Sequence, residues 1–186
     1  DVERTRKQLA ADKILSVSVV GSLQPGWSLD DLADDYALCA QWAIQSGADC
    51  IETNFSCPNV CTQDGQLYQQ PEAAALVASR VKEVTASVPY LIKIGHVPDK
   101  SQAQELVKAI LPYASGIVMT NSVASSVSDQ EGKPMFGGEQ RGICGKATKE
   151  ASLKQLKIFA QLIQEQSDNT VLPDLISCGG ISSASD

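Results

Sequence analysis

Short apolar runs alternate with longer amphipathic segments along the chain. Five runs rich in β-branched and aliphatic residues predict strands, and each is followed at once by Gly, Ser or Asn, which are typical turn residues. The predicted strands cover residues 13–20, 50–55, 89–94, 116–120 and 172–178. The spacing leaves room for a helix after each of the first four strands.

The segments between the strands have the periodicity of helices, with apolar residues recurring every three or four positions. Ser28 begins a capping pattern for a helix that ends at Gly47, and Pro71 suits the first turn of the next helix. A third helix is predicted to begin with a cap at Ser101, and a fourth is predicted over 151–165.

This regular alternation predicts an α/β fold with a parallel sheet. Five such units fit either an open doubly wound sheet or a section of a (β/α)8 barrel. A complete barrel needs at least about 200 residues, so this chain of 186 residues cannot close one unaided. The chain lacks an initiator Met, and Ser183 opens a further helix-start pattern, so we expect truncation at both ends. The stretch 121–146 is predicted to be a long irregular loop, which in a compact domain is usually functional or mobile.

Polar side chains crowd the exit of the second predicted strand, in the sequence ETNFSCPN. Asn54, Ser56, Cys57 and Asn59 follow one another there, and parallel α/β proteins place their active sites at such strand ends. Carboxamides match the amide or imide edge of a ligand, and a thiolate can remove a proton. The same residues also suit a simple turn with Cys57 packed as a small apolar side chain, and the local pattern does not choose between the two interpretations.

Two further strands carry polar residues at or near their ends. Lys93 lies within the apolar run PYLIKI, where a lysine is costly unless it meets an anion or an acceptor-rich ligand. A solvated edge strand is the commoner explanation for such a lysine. Thr120, Asn121 and Ser122 lie at the exit of the fourth strand and fit either a site or a turn.

Glycines precede two predicted helix starts, in GICG, which ends at Gly145, and at Gly179 and Gly180. Glycine turns let backbone N–H groups approach a phosphate, which the N-terminus of a helix also favours. Either cluster alone also suits an ordinary turn. Together they match the phosphate site that barrels often form late in the chain. A complete G-x-G-x-x-G pattern is absent, so a Rossmann dinucleotide site is not predicted.

Composition narrows the functional classes. With 15 Lys and Arg against 22 Asp and Glu, the net charge is −7, and we expect no nucleic-acid partner. No stretch approaches the roughly 20 apolar residues of a membrane span. His96 is the single histidine, so a His-rich metal site is not predicted. The six cysteines contain no CxxC pair, which favours a reduced, intracellular protein.

With these residues assembled, the chain resembles the dihydroorotate dehydrogenase family of FMN-dependent (β/α)8 TIM barrels. The resemblance runs from KILSVSVV to the closing SCGGISSASD, and its most specific element is ETNFSCPN. The segments IKIG, VMTNSV and RGICGKATKEASL are also similar. The resemblance implies that residues 1–186 form one partial FMN-binding barrel domain that holds barrel strands three to seven.

The resemblance also implies a role for particular residues, with Cys57 at the position of the catalytic base. The residues implied to bind the pyrimidine are Asn54, Asn59, Asn121 and Ser122. The residues implied to contact FMN are Asn54, Lys93, Thr120, Gly145, Gly179 and Gly180. Cys144 departs from the family pattern, in which serine or glycine is usual, and Gly95 with His96 replaces a proline-containing turn. The family's lysine on strand two has no counterpart in this chain.

The function implied is a cytoplasmic flavoprotein of pyrimidine biosynthesis that oxidises dihydroorotate to orotate. Cys57 would remove a proton while a hydride passes to the flavin. The expected partner is a small pyrimidine, a homodimer is one assembly that the resemblance allows, and the fragment alone is expected to be inactive. Two alternatives stay open: a related flavin oxidoreductase of the dihydropyrimidine dehydrogenase type, and a non-catalytic module that binds phosphate or flavin.

Overall fold

A computed structural model describes residues 1–57, 61–62, 65–166 and 172–183. The strands are β1 (Ser16–Val19), β2 (Cys50–Asn54), β3 (Cys61–Thr62), β4 (Gly65–Gln66), β5 (Tyr90–Lys93), β6 (Gly116–Met119), β7 (Val123–Ser125), β8 (Arg141–Ile143) and β9 (Asp174–Ser177). The helices are α1 (Val2–Gln8), α2 (Leu29–Gln45), α3 (Pro71–Thr85), α4 (Lys100–Ile110) and α5 (Lys149–Glu165).

The main sheet contains the five predicted strands, paired in parallel in the order β1-β2-β5-β6-β9. This order follows the chain, whereas a doubly wound sheet reverses its strand order at a switch point. The barrel prediction is therefore confirmed over the described strands, and the doubly wound alternative is wrong. Strands β1 and β9 are the two edges of the sheet, so the barrel is not closed within this chain.

Helices α2 to α5 pack side by side, each against the next, and cover one face of the sheet. Side chains alternate between the two faces of a strand, so every second residue points into this layer. The largest buried side chains there include Tyr36, Phe55, Tyr90, Ile92 and Phe159. The other face, called the polar face below, carries polar residues on β1, β2 and β5, where the strand register sets Ser18 beside Glu52 and Asn54 beside Lys93. Val118 on β6 and Ile176 on β9 lie on the same face and are apolar.

The helix caps agree with the sequence prediction at α2 and differ at α4. The Ser28 hydroxyl accepts a hydrogen bond from the Asp31 N–H (3.2 Å), and the Asp31 carboxylate accepts one from the Ser28 N–H (2.8 Å). Hydrogen bonds from the Ser28 side chain and backbone also lower the pKa of Asp31. The predicted cap at Ser101 is wrong, because the Asp99 carboxylate accepts from the Gln102 N–H (2.9 Å) and starts the helix earlier.

The stretch 121–146, predicted to be irregular, contains an antiparallel hairpin of β7 and β8. Its register pairs Val123 with Ile143 and Ser125 with Arg141. Both strands are only three residues long and largely exposed, so they lack the alternating apolar pattern that reveals longer strands. The hairpin joins the exit of β6 to the start of the segment that leads into α5.

Candidate active site

The carboxyl ends of β2 and β6 bring amide and hydroxyl side chains into contact. Asn121 Nδ2 donates to Ser56 Oγ at 2.5 Å and to Asn54 Oδ1 at 3.3 Å. Asn54 Oδ1 also accepts from the Ser56 N–H at 3.2 Å and from Ser56 Oγ at 3.0 Å. Cys57 follows Ser56 and is partly buried. The predicted residues Asn54 and Asn121 thus lie in one polar cluster with Ser56, although Asn54 and Asn121 are 67 residues apart in the chain. Cys57 adjoins this cluster in sequence and packs against the hydrophobic core.

Tyr36 on α2 supports the end of β2 from the helical side. Its hydroxyl donates to the Asn54 backbone carbonyl at 3.2 Å, and its ring packs edge-on against Phe55 with the centroids 5.9 Å apart. Burial raises the pKa of the Tyr36 phenol far above its ordinary value. The phenol therefore stays protonated and remains a hydrogen-bond donor.

Lys93 ends the central strand β5 and pairs with a carboxylate on β2. The distance from its Nζ to Glu52 Oε1 is 2.7 Å, and the two side chains are 22% and 15% exposed. Ser18 Oγ on β1 donates to the same carboxylate oxygen at 2.7 Å. The lysine thus meets an anion, and the explanation by a solvated edge strand is wrong because β5 has neighbours on both sides.

Thr120 carries an unsatisfied buried hydroxyl at the end of β6. The residue is 2% exposed, and its Oγ1 has no hydrogen-bond partner within the part of the chain that the structure describes. Its backbone N–H is occupied by the Cys178 carbonyl at 3.0 Å. An unpaired buried hydroxyl is costly unless a ligand satisfies it. The residue therefore fits the flavin contact that the family resemblance implies.

Gly145, Gly179 and Gly180 bring the exit of β9 against the start of α5. All three have positive φ angles, of 74°, 109° and 76° respectively. A Cβ on Gly180 would lie 3.0 Å from the Gly145 carbonyl oxygen and 2.8 Å from Lys149 Cβ, so no side chain fits there. A Cβ on Gly145 would meet nothing within 4 Å, because this glycine faces open space.

A cavity of about 320 Å³ lies beside these glycines. Its lining residues are Gly145, Lys146, Lys149, Gly180, Ile181 and Ser182. Two lysines and the N-terminus of α5 make the cavity favourable for an anion. A phosphate group on a flavin mononucleotide fits this donor set.

His96 lies on the loop after β5 and lines a second cavity, of about 400 Å³. Ser56 and Ser122 line the same cavity, which places the predicted Ser122 next to the cluster around Asn121. The backbone on either side of His96 is held by Gln155 of α5, whose Nε2 donates to the Gly95 carbonyl and whose Oε1 accepts from the Val97 N–H, both at 2.9 Å.

Several residues of the site were missed by the sequence analysis. The predicted pyrimidine contact Asn59 lies outside the residues that the structure describes. Glu52, Tyr36 and Gln155 were missed because their partners are distant in sequence. The available signal for Glu52 was a charged residue within a predicted strand. Cys144 departs from the pattern that the family resemblance implies. Its thiol donates to the Asn121 backbone carbonyl at 3.7 Å and so helps to hold Asn121 in the cluster.

The described residues contain no group of three His, Cys, Asp or Glu side chains that could hold a metal ion. No helix in the described part of the chain is both long and apolar enough to cross a membrane. The five cysteines whose side chains are described are free thiols, at positions 39, 50, 57, 144 and 178.

Comparison with known proteins places this chain in a family. A family model described as dihydroorotate dehydrogenase matches residues 2–186. The dihydroorotate dehydrogenase of Dictyostelium discoideum is 29% identical over 97% of this chain and 49% of its own length. The catalytic subunit of dihydroorotate dehydrogenase B (NAD(+)) from Bacillus mycoides (strain KBAB4) is 33% identical over 83% of this chain and 47% of its own length.

A crystal structure of DHODH from Eimeria tenella, solved in complex with ferulenol, has a similar fold. The TM-score is 0.69 at 16% sequence identity, covering 98% of this chain and 52% of that one. The chain therefore spans about half the length of the relatives that it matches. Since the family match covers nearly every residue and the five strands have the expected order, the chain belongs to the dihydroorotate dehydrogenase family.

Proposed function

We propose that the full-length protein is an FMN-dependent oxidoreductase that oxidises dihydroorotate to orotate. The observation that carries the proposal is the cluster of Asn54, Ser56 and Asn121, which adjoins Cys57 in sequence at the carboxyl ends of β2 and β6. Carboxamides offer both donors and acceptors, which suits the imide edge of a pyrimidine. Family membership supports the same substrate class.

Cys57, Asn54 and Asn121 have different roles in the proposed reaction. Oxidation of the C5–C6 bond removes a proton from C5 and a hydride from C6. As a thiolate, Cys57 accepts the C5 proton and becomes a thiol. Asn54 and Asn121 hold the ring, with the carboxamides fixed by Ser56. FMN, when bound, supplies the acceptor for the hydride.

The residues that would hold FMN lie at the ends of β5, β6 and β9 and before the start of α5. The unpaired Thr120 hydroxyl and the Lys93 ammonium suit the polar edge of the isoalloxazine ring. The cavity beside Gly145 and Gly180, with the N-terminus of α5, suits the phosphate. Lys93 would also stabilise negative charge on the ring, because a cation close to a developing anion lowers its energy.

The substitution Cys57→Ser in the full-length protein tests the proposed base. A hydroxyl fits where the thiol lies but ionises much less readily, so flavin reduction by dihydroorotate should slow by about 10²–10⁴-fold at neutral pH. Binding of orotate should change little, and the rate should partly recover at high pH. Anaerobic stopped-flow absorbance gives the rate, and a binding titration gives the affinity.

Cys39→Ser is the matched control, because Cys39 is a partly buried thiol on α2 that takes no part in the cluster. Its reduction rate should equal that of the unmodified protein. An unaltered rate in Cys57→Ser would remove Cys57 from the mechanism.

The choice of substrate separates the remaining alternatives. Purified full-length protein should be yellow, and dihydroorotate should bleach it under anaerobic conditions. Bleaching by dihydrouracil instead would favour the dihydropyrimidine dehydrogenase type. Bound FMN that no dihydropyrimidine reduces would favour a non-catalytic module.

A further inference from the structure

One carboxylate oxygen links three neighbouring strands on the polar face of the sheet. Glu52 Oε1 on β2 accepts from Ser18 Oγ on β1 and from Lys93 Nζ on β5, each at 2.7 Å. The strand register sets Ser18 beside Glu52, but it sets Lys93 beside Asn54, which lies two residues nearer the carboxyl end of β2. The lysine side chain therefore leans back towards the amino ends of the strands to reach Glu52.

The charges of this pair act on the strand ends where the flavin is proposed to lie. The Cys178 thiol, at the exit of β9, has its pKa raised by burial, raised further by Glu52 and lowered by Lys93. Both charges thus act at a strand end that lies three strands away from β2 and two strands away from β5. Because the pair is largely buried, water screens its charges less than it would at the surface.

We infer that Glu52 is a positioning residue that fixes the Lys93 ammonium and offsets its positive charge, and thereby sets the reduction potential of bound FMN. The inference rests on the proposed function, because it requires FMN at the ends of β2, β5 and β6. Ser18 holds the carboxylate from the opposite side, so the lysine has one favoured position. Nothing in this role requires Glu52 to touch the substrate or the flavin.

The sign of the effect follows from charge. Reduction adds negative charge to the flavin, which Lys93 favours and Glu52 opposes. Replacing Glu52 with an uncharged isostere leaves the cation without its counter-charge. The reduced form of FMN should then become more favourable relative to the oxidised form.

The test is a redox titration of FMN-loaded full-length protein against a reference dye, with Glu52→Gln as the first variant. We expect the reduction equilibrium to shift about tenfold towards reduced FMN, which is about 30 mV for a two-electron couple. Lys93→Met should shift it in the opposite direction. Glu83→Gln is the matched control, because Glu83 is an exposed carboxylate on α3, and it should leave the equilibrium unchanged.

A second variant keeps the inference falsifiable if Glu52→Gln does not fold. Glu52→Asp retains the charge but is one methylene shorter, so it should shift the equilibrium in the same direction as Gln by about threefold or less. A merely structural ion pair would lower the thermal midpoint of these variants and leave the potential of bound FMN where it was, which would overturn the inference. If the unmodified protein binds no FMN, the proposed function itself fails, and the two failures are therefore distinguishable.

Discussion

Gln155 fixes the loop that carries the single histidine of the chain. It is 1% exposed, and both ends of its carboxamide are occupied by backbone groups of Gly95 and Val97. A buried amide that is satisfied on both sides specifies one loop conformation and would be costly to leave unpaired. The turn after Lys93 is therefore held in place by α5.

His96 should make the stability of the protein depend on pH in a defined direction. Partial burial lowers its pKa below the ordinary value of 6.5, and the nearby Lys154 charge acts in the same direction. The unfolded chain therefore binds a proton more readily, and the free energy of unfolding should fall as the pH decreases below about 6.5. Above that pH the contribution is fully present, because the imidazole is neutral in both states.

Denaturant titrations at pH 7.5 and 5.5 measure this dependence. Because the chain has no other histidine, His96→Gln should remove most of the difference in unfolding free energy between the two pH values. An equal difference in both proteins would show that other groups cause it.

Individual contacts across the site were the least predictable from sequence. The sequence ETNFSCPN indicated Asn54 and Cys57 because they lie at the end of a strand, and Lys93 was indicated as a cation in an apolar run. The partners of these residues depend on strand register, which no local pattern reveals. Glu52 could be paired with Lys93 only after β2 and β5 were known to be neighbours.

At the scale of elements, the turn between β9 and the start of α5 depends on close approach of two backbones. Gly180 has a φ of 76°, and its α-carbon faces the Gly145 carbonyl and Lys149. A turn of this kind brings the N-terminus of α5 to the edge of the neighbouring cavity. The geometry of the proposed phosphate site therefore requires a residue without a side chain at position 180.

Gly180→Ala should weaken FMN binding as well as stability. A non-glycine residue with positive φ costs about 1–3 kcal/mol, and here the added methyl would also push α5 away from the Gly145 loop. Gly132→Ala is a matched control, because Gly132 has a φ of 82° but a Cβ there would meet nothing within 4 Å. Fluorescence quenching of FMN and a thermal melt of both variants give the comparison.

The control should lose stability only, with FMN affinity unchanged. Equal FMN affinity in Gly180→Ala and the unmodified protein would place the phosphate elsewhere.

Elements with strong periodicity were predicted well, and those without it were missed. All five sheet strands and helices α2 to α5 were anticipated, with their ends displaced by a few residues. Helix α1 has no buried residue and hairpin β7–β8 is largely exposed, so neither leaves an apolar stripe in the sequence.

At the scale of the whole molecule, the polar face of the sheet is only partly enclosed. Ser18 on β1 and Ile176 on β9 are both exposed, although the strands between them are largely buried. In a closed barrel this face is filled by side chains from all eight strands. In this chain the proposed flavin site is therefore enclosed only on the side formed by the five described strands.

The isolated 186-residue chain should accordingly bind FMN weakly or not at all, whereas the full-length protein should retain it through purification. A ligand that loses part of its enclosing surface loses the contacts and the exclusion of water that hold it. Titration of FMN fluorescence with the two proteins makes the comparison. Equal affinity would mean that this half of the barrel forms a sufficient site.

The contact of Gln155 with the loop after β5 has a consequence for the order of folding. The carboxamide and its backbone partners are about 60 residues apart, so their hydrogen bonds form only after α5 has docked on the sheet. Strand β5 can pair with β2 before this, because the segment that joins those two strands is shorter. The turn beside Lys93 therefore reaches its final conformation late in folding. A folding intermediate in which β1, β2 and β5 have already paired would still lack an ordered active site.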